Sequence, residues 1–388
     1  MRLNLRLSSG IGDLARIACL LHFSDLAPKG PIPAKAPSGY NKCYFVSSKL
    51  APKSRGIVID FPPLFPYNFL FEQRKFFKTV YFSQTVKTEF YHLDLPDWCG
   101  GLDLTEMMRA TAEIDPNEFQ LLRDYIEKNC GIYLSEEKMY LVCTRLTSLM
   151  VESDCTSFAE LYHKAVSDTS LNLRDKIVEA ITTNETLWFR DESPFVILEE
   201  ELLRKYTREI ASGKRSKIKI WCAACSTGQE PYSIAMTVRE FARKEGTLKP
   251  EQVEILGTDI SSTVLYLAKA GRYDSLAISR GLPEDLKKRY FESDGKVWVI
   301  KNEIKKMVAY HKLNLQGNFF HLENQDIVFC RNVLIYFSNE FKKDILRRIA
   351  RVIKPNGYLF LGASESIFNF TLEYQMLKHT MGLYYKRM

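Results

Sequence analysis

The chain has 388 residues, 46% hydrophobic and 26% charged, which is ordinary for a globular protein and long enough for two or three domains with real cores. No uncharged apolar run approaches the roughly 18 residues of a membrane span, which argues against direct membrane insertion. The formal charge of +7 is uneven: residues 1 to 110 hold 14 Lys and Arg against 9 Asp and Glu, the rest 40 against 38, so no global nucleic-acid-binding surface is indicated. Nine scattered cysteines, an odd count, fit a reducing cytoplasm better than a disulfide framework. The N-terminal apolar run around Ile17 to Leu21 is short and lacks a small-residue cleavage site, so no signal peptide is assigned.

Residues 1 to about 105 are rich in Pro and aromatics (PKGPIPAKAP, DFPPLFPYNFLFEQRKFF) and show no sustained period, so they receive no fold. Two readings stand: a loosely ordered extension, or upstream sequence from a wrong start, since Met107 and Met108 immediately precede the first well-patterned helix. From Asp115, DPNEFQLLRDYIEKNCGI predicts a capped helix with Phe119, Leu122, Tyr125 and Ile126 on one face and a stop at Gly131. Three more amphipathic runs follow: SEEKMYLVCTRLTSLMVE behind a Ser135 cap, SFAELYHKAV from Ser157, and LRDKIVEAIT. On the second of these helices Lys138 and Arg145, seven residues apart, share a face that would suit docking of an acidic helix, or is simply solvated.

A helix from about Pro194 to Ala211 leads to the strand IKIWCAA, the turn CSTGQEP and a further helix. The strand VEILGTDI, the helix SSTVLYLAKA, the strand DIVFCRN, the helix NEFKKDILRRIARVI and the strand GYLFLGA repeat the alternation, which implies an α/β doubly wound parallel sheet with ligands at the C-terminal strand ends. Residues 286 to 316 break it with short β-rich runs around Asp294-Gly295, read as a small antiparallel insertion, and MGLYYKR resembles a final strand at the sheet edge. The predicted layout is an unassigned extension over 1–110, a helical domain over 111–190 and an α/β domain over 191–388.

The turn CSTGQEP places Glu230 at a helix N-terminus but is neither a dinucleotide fingerprint nor a phosphate loop. Asp259, ending the second strand, either accepts both hydroxyls of a ribose or caps the next helix. Cys222 and Cys225 form a CxxC at the same turn, more simply read as small packing residues than as a redox pair or half a zinc site. With no second CxxC and no ligand spacing among the six histidines, no metal is expected.

Five blocks in order, TTNETLWFR (182–190), IWCAACSTGQEPYSIAM (220–236), GTDIS, FCRNVLIYF (329–337) and GYLFLGASES (357–366), resemble the chemotaxis receptor methyltransferase family, of the CheR type. The resemblance covers about two thirds of the chain, from near Phe119 to the end. It implies a small all-α domain followed by a Rossmann-like, S-adenosylmethionine-dependent methyltransferase domain with a small antiparallel β insertion. It also implies a cytoplasmic protein-glutamate O-methyltransferase whose partner in signal transduction is the acidic helical methylation region of a methyl-accepting chemotaxis receptor. Carried over by position, its cofactor contacts fall on Asn184, Thr186, Arg190, Glu230, Asp259, Asn314, Leu315, Arg331 and Asn332, and its catalytic candidates are Tyr336 and Arg331. Tyr336 reads equally as core packing within VLIYF, and Asn184 and Thr186 as a turn at a domain junction. Members that tether to a receptor's terminal pentapeptide carry a Gly-containing lengthening in the β-insertion loop; here ESDGKVWVIKNEIKKMV has only Gly295, which argues against tethering.

The implied chemistry suits these residues. A glutamate with an ordinary pKa of about 4.3 is ionised at neutral pH, so no general base is needed. Alignment of nucleophile, methyl and sulfur can then supply on the order of 7 kcal/mol. A nucleic-acid methyltransferase would instead place an (Asp/Asn)-Pro-Pro-aromatic run where CRNVLIYF stands. A non-catalytic S-adenosylmethionine-binding signalling protein is the other alternative.

Overall fold

The computed structural model describes residues 113–388 except Asn369, and two earlier strands, β1 (Asn41–Phe45) and β2 (Ile57–Phe61). Those two pair antiparallel, Asn41 opposite Phe61, within the first of two units of the chain, Met1–Pro96. Met107 and Met108 lie outside the described residues.

In the second unit, Asp97–Met388, the described residues open with four helices: α1 (Pro116–Cys130), α2 (Met139–Glu152), α3 (Phe158–Ser167) and α4 (Asn172–Ile181). Helix α1 starts where its sequence signals it. The Asp115 carboxylate accepts from the amides of Asn117 and Glu118 at 2.6 and 3.1 Å, and Glu118 reaches back to the Asp115 amide at 3.1 Å. It ends at Gly131, whose φ of 76° is left-handed. Ser157 caps α3 through the Glu160 amide at 3.1 Å. Ser135 makes no such bond: it precedes a 3-10 turn over Glu136–Lys138, and α2 begins only at Met139. Phe119, Leu122, Ile126, Val142, Leu146, Phe158, Leu161 and Ile177 recur at three or four residues and form the buried core.

Helix α5 (Ser193–Ile197) runs through a π-helical turn (Leu198–Leu203) into α6 (Arg204–Ala211). The main sheet contains β3 (Ile218–Ala223), β4 (Val253–Asp259), β8 (Val308–Lys312), β9 (Gln325–Cys330), β10 (Ile353–Phe360), β11 (Tyr374–His379) and β12 (Gly382–Arg387). Its order is β11-β12-β10-β9-β3-β4-β8, with β12 antiparallel to both of its neighbours, β11 and β10, and all other neighbouring pairs parallel. The crossover helices are α7 (Gln229–Glu245), α8 (Ser262–Ala270) and α12 (Asn339–Val352). Both faces are buried: Ile220, Cys222 and Phe329 enter one core, and Trp221, Ala223 and Val328 enter the other. Because β3 has β4 on one side and β9 on the other, the chain reverses direction across the sheet there, and the crevice above its end is where ligands bind in such sheets. Among the described residues no helix is long and apolar enough to cross a membrane.

Two sequence expectations are corrected. The antiparallel insertion is a three-stranded sheet, β5 (Arg272–Asp274), β7 (Val297–Ile300) and β6 (Phe291–Asp294), in that spatial order. It is interleaved with α9 (Ser275–Ser279) and α10 (Glu284–Tyr290) and followed by α11 (Asn302–Lys305). It therefore begins before residue 286, and Val308–Lys312 is instead a parallel strand of the main sheet beside β4. That strand alternates between buried and exposed residues because it lies at an edge, which makes it look antiparallel in sequence. At the other side the edge is Tyr374–His379, and Gly382–Arg387 sits one place in, between that strand and β10.

Trp188, fully buried, fastens the insertion to the segment entering the α/β domain. Its indole donates to the Ala277 carbonyl at 3.1 Å, and its ring meets Tyr273 and Phe291 edge-on at 4.8 and 5.2 Å. Gly281 permits this approach: at φ 86°, a Cβ there would lie 2.3 Å from the Trp188 carbonyl oxygen. Glu240 on α7 is the second fastener. It accepts from Tyr290, Arg289 and Arg243 at 2.6 Å each, and these partners outweigh burial to hold its carboxyl down at about 2.

Candidate functional site

A pocket opens above the C-terminal ends of β3, β4, β8 and β9 and is walled on its remaining side by the helical domain. All nine cofactor candidates line it, and so does Tyr336. They arrive on separate pieces of chain: Asn184, Thr186 and Arg190 on the segment after α4, Glu230 in the first turn of α7, Asp259 at the end of β4. Asn314 and Leu315 follow β8, and Arg331, Asn332 and Tyr336 follow β9.

The turn between β3 and α7 is tight. Ala224 and Ser226 have φ of 56° and 49°, and Gly228, at 93°, would place a Cβ 2.8 Å from the Tyr310 hydroxyl. The carboxylate of Asp259, 6% exposed, holds this turn through the Ser226 amide at 2.9 Å and the start of the next connection through the Ser261 amide at 3.0 Å. The alternative that Asp259 caps α8 does not hold: the cap is Ser261, whose hydroxyl accepts from the Val264 amide at 3.3 Å. Burial raises the Asp259 carboxyl above its ordinary value, against the pull of the amides.

Glu230 is likewise raised by burial, opposed by Arg331 and Arg190. Arg331, only 1% exposed in its side chain, donates to Glu230 at 2.6 Å, to Asp191 at 2.8 Å and to the Arg190 carbonyl at 2.7 Å. Burial pushes the thiols of Cys222 and Cys225 well above the usual range, which disfavours the thiolate that a redox pair or a zinc ligand requires. Tyr336 both lines the pocket and packs, partly buried, on one sheet core, so its two readings coexist.

The helical domain completes the enclosure. Cys130 and Ile132 line the pocket, Ile132 bridges Phe337, and the Tyr133 amide donates to the Tyr336 carbonyl at 2.8 Å. Asn314 donates to the Asn129 carbonyl at 2.7 Å, and Glu179 accepts from Ser261 and Thr263 at the N-terminus of α8. Neither reading of Lys138 and Arg145, a docking face or a solvated one, describes Arg145: Lys138 lies before the helix, and the guanidinium of Arg145 is spent on the Ile181 and Thr182 carbonyls and the Thr183 hydroxyl. Arg145 therefore steadies the segment that carries Asn184.

Sequence reasoning missed Cys130 and Ile132, because only the docking of two domains brings them to the pocket, and Asp191, because its partner lies 140 residues away. Asp191 did carry one readable signal, its place directly after TTNETLWFR.

A family model described as the CheR methyltransferase S-adenosylmethionine-binding domain matches residues 184–383, and the CheR all-alpha domain model matches residues 117–182. The chain belongs to the CheR methyltransferase family. Chemotaxis protein methyltransferase Cher2 of Pseudomonas putida and chemotaxis protein methyltransferase 1 of Pseudomonas aeruginosa are each 45% identical to it over 271 residues, 69% of this chain and 97% of theirs. The chemotaxis protein methyltransferase of Vibrio anguillarum is 44% identical over 275 residues, 70% of this chain and 98% of its own. This member of the family is an S-adenosylmethionine-dependent methyltransferase, and its pocket sits where the sheet reverses.

Proposed function

We propose that the protein esterifies glutamate side chains on chemotaxis receptors in the cytoplasm, converting S-adenosylmethionine to S-adenosylhomocysteine. The observation that carries this reading is the chemistry of the pocket lining: a buried acid beside a basic residue and a second buried carboxylate, each already held by Arg331 or by backbone amides. Among its described lining residues there is no histidine, and burial raises the thiols of both cysteines, Cys130 and Cys225, that of Cys130 to about 11.

The residues present fit the cofactor. Glu230 offers a carboxylate to its ammonium group and Arg190 a guanidinium to its carboxylate. Asp259 uses one lone pair per oxygen on the Ser226 and Ser261 amides and keeps others for a ribose diol. Asn314 and Leu315 border space for the adenine, Asn184 and Thr186 line the entering segment, and Asn332, at φ 57°, turns the chain beside Glu230. S-adenosylmethionine, when bound there, supplies a methyl group on a positively charged sulfur. Tyr336, near the roof made by Ile132, is placed to orient an acceptor carboxylate that needs no deprotonation. The acidic methylation region of a receptor supplies that carboxylate, and no nucleic acid is needed as partner. The hairpin between β6 and β7 turns in two residues, Gly295 and Lys296, with no lengthened loop, which favours receptor recognition without a pentapeptide tether.

An already ionised acceptor makes a kinetic prediction. With a glutamate pKa of about 4.3, the rate of methyl transfer at saturating cofactor is expected to be flat from roughly pH 6 to 8. A rate rising about tenfold per pH unit across that range would signal deprotonation of an amine and contradict the glutamate reading.

A further inference from the structure

Arg331 was a candidate for direct contact with the cofactor, yet its geometry leaves it little to offer. Its terminal nitrogens donate to Glu230, Asp191 and the Arg190 carbonyl, and its Nε is buried, without a hydrogen-bond partner. The guanidinium lies between two carboxylates, one at the start of α7 and one in the turn after Arg190. That turn is strained: Phe189, Asp191 and Glu192 have φ of 49°, 64° and 47°, where non-glycine residues rarely sit. Asp191 also accepts weakly from the Ala363 amide at 3.4 Å, so it joins its own turn to the loops after β9 and β10.

We propose that Asp191 is a positioning residue that tunes Glu230 through Arg331, keeping the Glu230 carboxylate available to the ammonium of an amino-acid-bearing nucleoside. This rests on the cofactor placement argued above. Arg331 donates one terminal nitrogen to each acid, so Asp191 holds away from Glu230 a cation that would otherwise neutralise it in full. Without Asp191 the second terminal nitrogen keeps only the Arg190 carbonyl, and the full charge of the guanidinium falls to Glu230, which competes with a ligand ammonium for its oxygens. The Arg331 nitrogen that Asp191 holds also donates to the Arg190 carbonyl, which fixes the backbone from which the Arg190 side chain enters the pocket. The strain in the turn is retained because this placement requires it.

The test separates positioning from stability. Asp191→Gly removes the ion-pair partner of buried Arg331 and at the same time relieves a left-handed φ, so Tm reports only the balance of the two, and a merely structural role predicts that both ligands change alike. In the full chain, calorimetry should compare S-adenosylhomocysteine, which carries the ammonium, with 5′-methylthioadenosine, which lacks the amino-acid portion. The proposal expects Asp191→Gly to weaken S-adenosylhomocysteine about tenfold and to leave methylthioadenosine unchanged, with Asp191→Asn, which keeps a neutral acceptor, falling between. The Asn variant also serves if the Gly variant does not fold, since Asn tolerates this backbone conformation. Equal weakening of both ligands, or unchanged S-adenosylhomocysteine affinity in a folded variant, would overturn the proposal alone. Failure of the unmutated protein to bind either ligand would overturn the cofactor placement and the proposal with it.

Discussion

Trp188→Ala is expected to cost about 3 to 5 kcal/mol of unfolding free energy, near the upper end for a single core truncation. The side chain is fully buried, so the change leaves a cavity that Tyr273 and Phe291 must collapse into. It also leaves the Ala277 carbonyl without its indole partner. The loss has a functional side as well, because Trp188 lies two residues before Arg190 and ties that segment to the insertion through Ala277 and Arg280. Urea unfolding should therefore show a lower midpoint with an unchanged slope, and the folded fraction should bind S-adenosylhomocysteine more weakly. A stability loss below about 1 kcal/mol would mean that the aromatic trio is not a fastener.

Asp259→Ala should weaken cofactor binding by about 1 to 3 kcal/mol, since a ribose diol would lose a charged double acceptor. At 1.4 kcal/mol per factor of ten, that range spans roughly 5-fold to 150-fold in Kd. The same carboxylate holds the Ser226 and Ser261 amides, so part of the loss would come through the turn that carries Gly228 and Glu230. Asp259→Asn separates the two contributions. A neutral carboxamide can still accept from one amide and so retains part of the turn, but it offers the diol no charge. Unchanged affinity in a folded Asp259→Ala variant would remove Asp259 from the cofactor site.

The sequence was most legible where the signal is local. The Asp115 cap, the Gly131 stop and the start of a helix at Ser157 are read within one helical turn, and the structure forms each of them. Glu230 and Asp259 could be placed beside one crevice because strand ends in an alternating α/β chain converge there, and both do line the pocket. Legibility fell where an assignment depended on neighbours far along the chain. Val308–Lys312 has the alternation of a half-exposed strand whether it sits in an antiparallel hairpin or at the edge of a parallel sheet, and only its pairing with β4 decides. Arg145 has the spacing of a surface cation, but its partners are 36 to 38 residues downstream. Ser135 has the composition of a cap, but a 3-10 turn intervenes before the helix. Arg331 was singled out by its place in a motif, whereas its commitment to Glu230 and Asp191 is a property of the folded pocket alone.

The chemical nature of the methylated product tests the glutamate assignment most directly. The full chain is incubated with methyl-labelled S-adenosylmethionine and receptor-rich membranes, the proteins are separated, and labelled bands are treated with mild alkali. A glutamate methyl ester is cleaved by hydroxide, so the account predicts that label leaves the protein as methanol. Methyl groups on lysine, arginine or nucleobase nitrogen survive this treatment. Label that stays on protein after alkali, or that appears on nucleic acid, would contradict the account.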